Sequence, residues 1–462
     1  MSAELSLTDQ SLVLAQASFG RTFSGDLVGG EATARRGLEV AQRSGDIGTM
    51  VWGLTSLSVP VKAQGRYAEA LSLAERAVGL AFDPSSRDAR LRHPYFFLGM
   101  ALSDADRMEE GLLAYRAALE DQEELGASWL LADTLLLSAE VSFLQGRWDD
   151  AITEIETGLR TADEHGTPIS VPQSHAYQAV IAVGRGDLIA ADKVLARLES
   201  ELQSAPPRYG MQVVAYAVAM LAEAQGQQSR SYRVLLRAWE RDAERENRYY
   251  QRYLAPPLVR LALALDERDV AAEVARWAEA TAALAAEVPS VRSASLRCKG
   301  MVEHDPDIML AAVESARRGG PFLDHAASCE DTAATLASLG RPEEAKALWL
   351  EALESYERVG AQAWAARASA SLRGLGVRRG SRGSRRRPTS GWASLTPTER
   401  AVSHLVAEGL TNRAIGRRLF ISPHTVNTHL RHVFDKLSVS TRAGLAAKAA
   451  PHRDPAGSRV GA

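Results

Sequence analysis

The amino-acid sequence predicts an all-α protein: a long N-terminal α-solenoid of helix-pair repeats, then a small C-terminal domain of four short helices. Three observations carry this expectation. A short punctuation recurs about every forty residues, the mark of a stacked repeat. Apolar residues fall at helical spacing on both sides of it. After Val377 the texture changes to a basic Gly/Ser tract and then to short, sharply capped helices.

A chain of 462 residues is too long for one compact core, so several domains or a repeat array is the starting expectation. The punctuation is usually Gly followed by Arg or Asp. It stands at Gly25-Asp26, Gly65-Arg66, Asp106-Arg107, Gly146-Arg147, Gly186-Asp187 and Gly226-Gln227, spaced 40, 41, 40, 40 and 40. Weaker echoes follow at Glu267-Arg268 and near Asp305, and a clear one returns at Gly340-Arg341. Glycine takes the left-handed conformation that ends a helix. The acidic residues Glu69, Glu110, Asp150 and Glu344 then fall in the first turn of the next helix, where its dipole favours them. The small residues beside them (Ala70, Gly111, Ala151, Ala345) let two helices cross closely. Around Gly146 the flanking stretches are Trp129–Leu144 and Trp148–Leu159.

This pattern resembles the tetratricopeptide family over most of residues 20–376. The period exceeds that family's roughly 34 residues, so longer loops must join successive pairs, and a HEAT-like pairing stays open. The helical array is expected over residues 1–376 as a sensor or docking surface, capped by a helix at Ala361–Leu375. Trp52, Trp129, Trp148, Trp239 and Trp277 are expected in its interior rather than in a ligand cage. Residues 377–391, with six arginines and no apolar residue between Val377 and Gly391, read as a flexible basic linker.

Charge divides the chain. From Arg378 onward sixteen bases face four acids, a net +12, whereas the preceding residues hold 38 bases and 53 acids, a net −15. A basic tail behind an acidic body fits a protein in which only the tail meets a polyanion. It also suggests that the acidic body competes with that polyanion for the basic domain, the alternative being that acidity only keeps the body soluble. The longest mid-chain apolar run, Val213–Ala222, is far short of a membrane span, and the first residues carry no secretory pattern. Cys298 and Cys329, two isolated thiols, supply neither a disulfide framework nor a zinc site. A reducing, cytoplasmic home follows. No G-x-x-x-x-G-K-[ST] stretch, nucleophile elbow or paired carboxylates are present, so neither an enzyme nor a cofactor is expected.

The C-terminal domain is expected over residues 392–451, with a disordered tail at 452–462. Thr396-Pro397-Thr398-Glu399 is a capping box with proline at the first helical position. The helix behind it turns Val402, Leu405 and Val406 inward and stops at Gly409. Thr411 caps a second helix, Asn412–Phe420, with Ile415 and Leu419 inside. Ser422 caps a third, whose Val426, Leu430, Val433 and Leu437 form one apolar stripe. Ser440 caps a last helix through Ala450. Two short helices joined by a tight turn, the second long and basic, make a helix-turn-helix. At 100° per residue His424, Thr428 and Arg431 lie opposite the stripe with Asn427 beside them, and such groups match base edges. His429, His432 and Asp435 share a helical face, but a metal needs three or four converging ligands, so none is expected.

Residues 395–449 resemble the LuxR-family DNA-binding domain. The marks are Leu395-Thr-Pro-x-Glu399-Arg400, Gly409-Leu410-Thr411-Asn412-x-x-Ile415, Ser422-Pro423-x-Thr425-Val426-x-x-His429, and Lys436-Leu437 followed by Arg442-Ala443. The resemblance implies base reading by Asn427, Thr428, Arg431 and His424. It implies phosphate contacts from Thr411, Ser422, Thr425 and Lys436, and pairing of two copies through Leu445, Ala446 and Ala449. Ala414 and Gly416 depart from the usual Glu and Ala of the family. The expected protein is a bacterial transcription regulator that binds double-stranded DNA as a homodimer, with a protein, peptide or small-molecule effector on the solenoid and RNA polymerase as a further candidate contact. The rival readings are a tetratricopeptide-type adaptor and the rear half of a larger ATP-dependent regulator.

Overall fold

A computed structural model of the chain describes residues 5–82, 87–165, 169–204, 210–377, 388, 390–419 and 421–452; the tract expected to be a linker and the tail beyond His452 lie almost wholly outside these. The described residues form helices and no strand. In chain order the pairs are α1 (Leu7–Phe23) with α2 (Leu27–Ser44), and α3 (Ile47–Ala63) with α4 (Tyr67–Ala81). A single turn, α5 (Arg87–Arg90), precedes α6 (Pro94–Asp104) with α7 (Met108–Leu125), and α8 (Leu131–Leu144) with α9 (Trp148–His165). Then come α10 (Val171–Arg185) with α11 (Leu188–Ser204), α12 (Met211–Ala224) with α13 (Gln228–Glu244), and α14 (Gln251–Ala264) with α15 (Arg268–Leu284). The array ends with α16 (Pro289–Glu303) and α17 (Pro306–Arg317), α18 (Phe322–Ser338) and α19 (Pro342–Val359), and the lone α20 (Gln362–Gly374).

Each punctuation is the turn inside a pair. Its first residue has φ between 57° and 92° at Gly25, Gly65, Asp106, Gly146, Gly186, Gly226, His304 and Gly340. In the copy expected at Glu267-Arg268 the left-handed position is held by Asp266 (φ 61°), forty residues after Gly226, so that expectation is corrected by one residue. Asp and His tolerate this conformation less well than glycine, which is why these copies were faint in sequence. The Arg-x-x-acid spacing closes an ion pair across the first turn, at 3.0 Å for Arg66–Glu69 and 2.7 Å for Arg341–Glu344. At Gly111 the close crossing is literal: a Cβ there would lie 2.3 Å from Ser103 Oγ.

The array curls until distant pairs meet. Buried Lys62 of α3 reaches Asp104 of α6 at 2.6 Å, and Tyr249 donates to the same carboxylate at 2.6 Å. Arg252 of α14 donates to the Asp104 carbonyl and to Ser290 Oγ, both at 3.1 Å. Ser290 in turn donates to Asp106 through its backbone N–H at 2.7 Å and its hydroxyl at 2.9 Å. Charges this deep persist because each is paired and hydrogen-bonded.

Trp52, Trp148 and Trp239 are buried and Trp277 is partly so, whereas Trp129 is 59% exposed. Trp129 therefore departs from the expected interior placement. It stands on the rim of a cavity of about 240 Å³ lined by Phe19, Trp52, Phe97, Met100 and Leu137, with the Asp133 carboxylate in its wall. A loop precedes α8 where the apolar pattern placed helix from Trp129 onward.

Candidate nucleic-acid interface

The C-terminal domain comprises a 3-10 turn (Trp392–Ser394), α21 (Pro397–Ala407), α22 (Asn412–Leu419), α23 (Pro423–Leu437) and α24 (Arg442–Ala449). The capping box is complete: Glu399 N donates to Thr396 Oγ1 at 3.1 Å and Thr396 N to Glu399 Oε2 at 2.8 Å. Ser422 Oγ caps α23 by accepting from Thr425 N at 2.9 Å. The cap of α24 is Thr441, which accepts from Gly444 N at 3.0 Å, rather than Ser440 as the spacing suggested. The helix expected to reach Phe420 ends at Leu419, and Phe420 lies outside the described residues. Leu395, Val402, Ile415, Val426, Val433 and Leu445 close a separate core. His452, placed in the expected tail, stacks on Trp392 with ring centres 4.3 Å apart.

Four of the expected base-reading residues share one face of α23. His424, Asn427 and Arg431 are exposed there. Thr428 is only 1% exposed, because this face is docked on α9 of the solenoid. Thr157 Oγ1 lies 2.8 Å from Thr428 Oγ1, and Arg160 donates to the same hydroxyl at 2.6 Å. Glu156 meets His432 Nε2 at 2.9 Å and Arg431 at 3.6 Å. On neighbouring elements Arg413 lies 3.6 Å from Glu123, and Asp150 hydrogen-bonds Thr398. In this repeat alone of the best copies the Arg-x-x-acid pair is not closed: Arg147 donates to Ser142 Oγ at 3.0 Å, and Asp150 serves the docked domain. The hydrogen bond from His432 holds the Glu156 carboxyl below the usual carboxylate range, whereas burial raises that of Asp150.

The expected phosphate contacts divide. Thr411 is exposed and caps α22 through Ala414 N at 3.2 Å. Ser422 and Thr425 are buried, their hydroxyls 2.8 Å apart at the α23 cap. Lys436 Nζ lies 2.7 Å from both oxygens of buried Glu399, an internal ion pair. Leu445 and Ala449, expected to pair two copies, are fully buried inside this domain, and Ala446 is half-buried. That expectation is corrected: the spacing of α24 cannot distinguish a face turned to its own core from one offered to a partner. Gly416 is not merely a loosened helix position, since a Cβ there would meet the Ile421 carbonyl at 2.6 Å. The residues missed in sequence are Glu156, Thr157 and Arg160. Their signal was the stripe Thr153, Thr157 and Thr161, a polar row at helical spacing that is nonetheless buried.

His429 is 1% exposed, neither ring nitrogen has a hydrogen-bond partner among the described residues, and burial pushes its pKa down to about 3. The folded domain thus holds a neutral imidazole, whereas the unfolded chain protonates it below the ordinary histidine value of about 6.5. Its contribution to stability is complete above pH ~6.5 and falls by roughly 1 kcal/mol per pH unit as acid is added, toward pH ~3. Thermal melts between pH 7 and 5 should show this loss, and His429→Gln should flatten it; an unchanged profile in that variant would assign the acid sensitivity elsewhere.

Comparison with known proteins follows the same division. Residues 393–449 match the family of bacterial regulatory proteins, luxR family, and residues 325–359 match a tetratricopeptide repeat. An HTH-type transcriptional regulator of Mycobacterium bovis is 55% identical over 74 residues, which are 16% of this chain and 8% of that protein. The transcriptional regulatory protein LiaR of Bacillus subtilis is 46% identical over 61 residues, 13% of this chain and 28% of LiaR. The nitrate/nitrite response regulator NarL of Escherichia coli is 42% identical over 52 residues, 11% of this chain and 24% of NarL. The matched region thus spans less than a third of each of these relatives. The fold of the array is that of a Rap protein crystallised with competence and sporulation factor, at TM-score 0.54, 13% identity, and coverage of 77% of this chain and 99% of that one. Residues 393–449 are therefore a LuxR-family helix-turn-helix domain, borne at the C-terminal end of a tetratricopeptide-like helical array.

Proposed function

We propose that this chain is a DNA-binding transcription regulator whose solenoid holds the reading helix in a closed, DNA-excluding form until an effector engages the array. The carrying observation is the burial of Thr428 beneath Thr157 and Arg160. A major groove and α9 cannot occupy the same face of α23 together. The contacts that close it are hydroxyls and ion pairs, several of them partly exposed, and such contacts are individually worth about 1 kcal/mol or less. A closed state of that strength is held firmly enough to compete with DNA and weakly enough to be released by a ligand. The aromatic cavity behind Trp129 is the candidate seat of a small effector, and the fold shared with a protein seen holding a competence and sporulation factor supports effector binding by the array. On an inverted-repeat site two copies would bind as a dimer, and RNA polymerase is the partner an activator would meet.

The test compares the full chain with Glu156→Ala/Arg160→Ala, which removes both ends of the clamp without touching the DNA-binding domain. The variant should bind target DNA roughly tenfold more tightly, the equivalent of about 1.4 kcal/mol. Equal affinities would show that the contact does not oppose DNA binding.

A further inference from the structure

We propose that His325, Cys329 and Glu351 form a zinc(II) site on the outer turn of the solenoid, with these three side chains as protein ligands and a fourth position open to solvent. His325 and Cys329 stand one turn apart on α18, and Glu351 faces them from α19. One donor atom from each lies within 4.8 Å of the others. His325 Nε2 is 3.6 Å from Cys329 Sγ and 3.1 Å from Glu351 Oε1. Tetrahedral zinc, with bonds of about 2.0–2.1 Å to nitrogen, 2.3 Å to sulfur and 2.0–2.2 Å to oxygen, separates its ligands by about 3.6 Å (N to S) and 3.4 Å (N to O). The two spacings at His325 Nε2 lie within about 0.3 Å of these, and the Cys329 and Glu351 donor atoms lie within 4.8 Å of each other, so binding would draw the set together around the ion.

The chemistry of the set selects the metal. Thiolate, imidazole and carboxylate together suit zinc, whereas magnesium and calcium take oxygen ligands. Zinc takes the neutral imidazole and the thiolate, so its binding would release the Cys329 proton. Arg317 Nη2 lies 3.0 Å from both Glu351 oxygens and orients that carboxylate, the role supporting residues play around metal sites. Carboxylate oxygens keep lone pairs beyond those one guanidinium engages. His325 also lines a cleft of about 880 Å³ between α7–α8 and α17–α18, which gives water access to the fourth position. Cys298 and Cys329 stand apart in sequence as isolated thiols, whereas the fold sets His325 and Glu351 beside Cys329. The ion would brace the α18–α19 pair, whose Phe322 and Val359 pack on the Gly146 turn leading into α9.

The test uses the full chain stripped of metal with a chelator and titrated with Co²⁺ as the probe, then with Zn²⁺. Expected is one Co²⁺ per chain, tetrahedral ligand-field bands, a thiolate-to-cobalt charge-transfer band, and displacement of all three by Zn²⁺. Cys329→Ser should abolish the charge-transfer band, and Cys298→Ala should keep it. His325→Gln and Glu351→Gln, on partly exposed side chains that leave the core intact, should weaken Co²⁺ by more than the roughly 10–100-fold that loss of a supporting residue costs. A wild-type chain with no charge-transfer band, a band that survives Cys329→Ser, or an affinity unmoved by His325→Gln would each overturn the proposal.

Discussion

Arg431→Ala is expected to cost about 1–3 kcal/mol of affinity for the preferred DNA site, and to relax preference at one base position. The side chain is half exposed on the reading face and 3.6 Å from Glu156, so it serves two states at once. In the closed form it adds to the clamp, and on DNA its planar fork suits a guanine edge. Removing it therefore weakens the closed form as well as the complex, and the two losses oppose each other in the measured affinity. The full cost should emerge only in the Glu156→Ala/Arg160→Ala background, where the clamp is already open. In the otherwise unaltered chain the apparent loss should be smaller by what the clamp contributes. Fluorescence anisotropy over a panel of single-base variants, at one fixed salt concentration, measures both. An equal loss on every sequence would reassign Arg431 to a phosphate. Lys436→Ala should behave differently. Its ammonium is held by both oxygens of Glu399, and its removal leaves a buried carboxylate without its cation, so the effect belongs to domain stability.

What the sequence made legible was whatever depends on local spacing. The forty-residue punctuation located the intra-pair turns from Gly25 to Gly226, because a left-handed residue that ends one helix is a local requirement. The apolar stripe of α23 and the capping residues Thr396 and Ser422 were legible for the same reason. Contacts between residues far apart in sequence left no such trace. Tyr249 and Arg252 reach Asp104, and Ser290 reaches Asp106, only because the array curls. The polar row of Thr153, Thr157 and Thr161 stood in the sequence, but not that α23, 271 residues on, would cover Thr157. Composition and periodicity pointed to one polar face of α23 for base reading, but nothing in either indicated that Thr428 on it would be covered by the solenoid. The charge division, +12 behind −15, named no residues, whereas the contacts between the two parts rest on Glu156, Asp150 and Glu123.

Leu445→Asp should unfold the DNA-binding domain rather than separate two copies of it. Leu445 is fully buried, packed in one core with Leu395, Val402, Ile415, Val426 and Val433. Truncating such a leucine costs about 2–5 kcal/mol, and a carboxylate in its place adds the penalty of a desolvated, unpaired acid. A domain of about 60 residues buries too little surface to absorb that loss. The expected result is loss of the domain's melting transition, with the larger transition of the solenoid retained, and loss of DNA binding at every salt concentration. Retained melting with a footprint cut to one half-site would restore Leu445 to a pairing role. The residues of α24 that remain available to a second copy are Ala443, Ala447 and Lys448, all exposed, beside half-buried Ala446. A charge at Ala447 meets solvent in the monomer, so Ala447→Glu should leave the melt unchanged. If two copies meet on this helix, that same substitution places like charges face to face across the two-fold axis. It should then shorten the footprint on an inverted repeat to one half-site, and an unaltered footprint would move the pairing surface off α24.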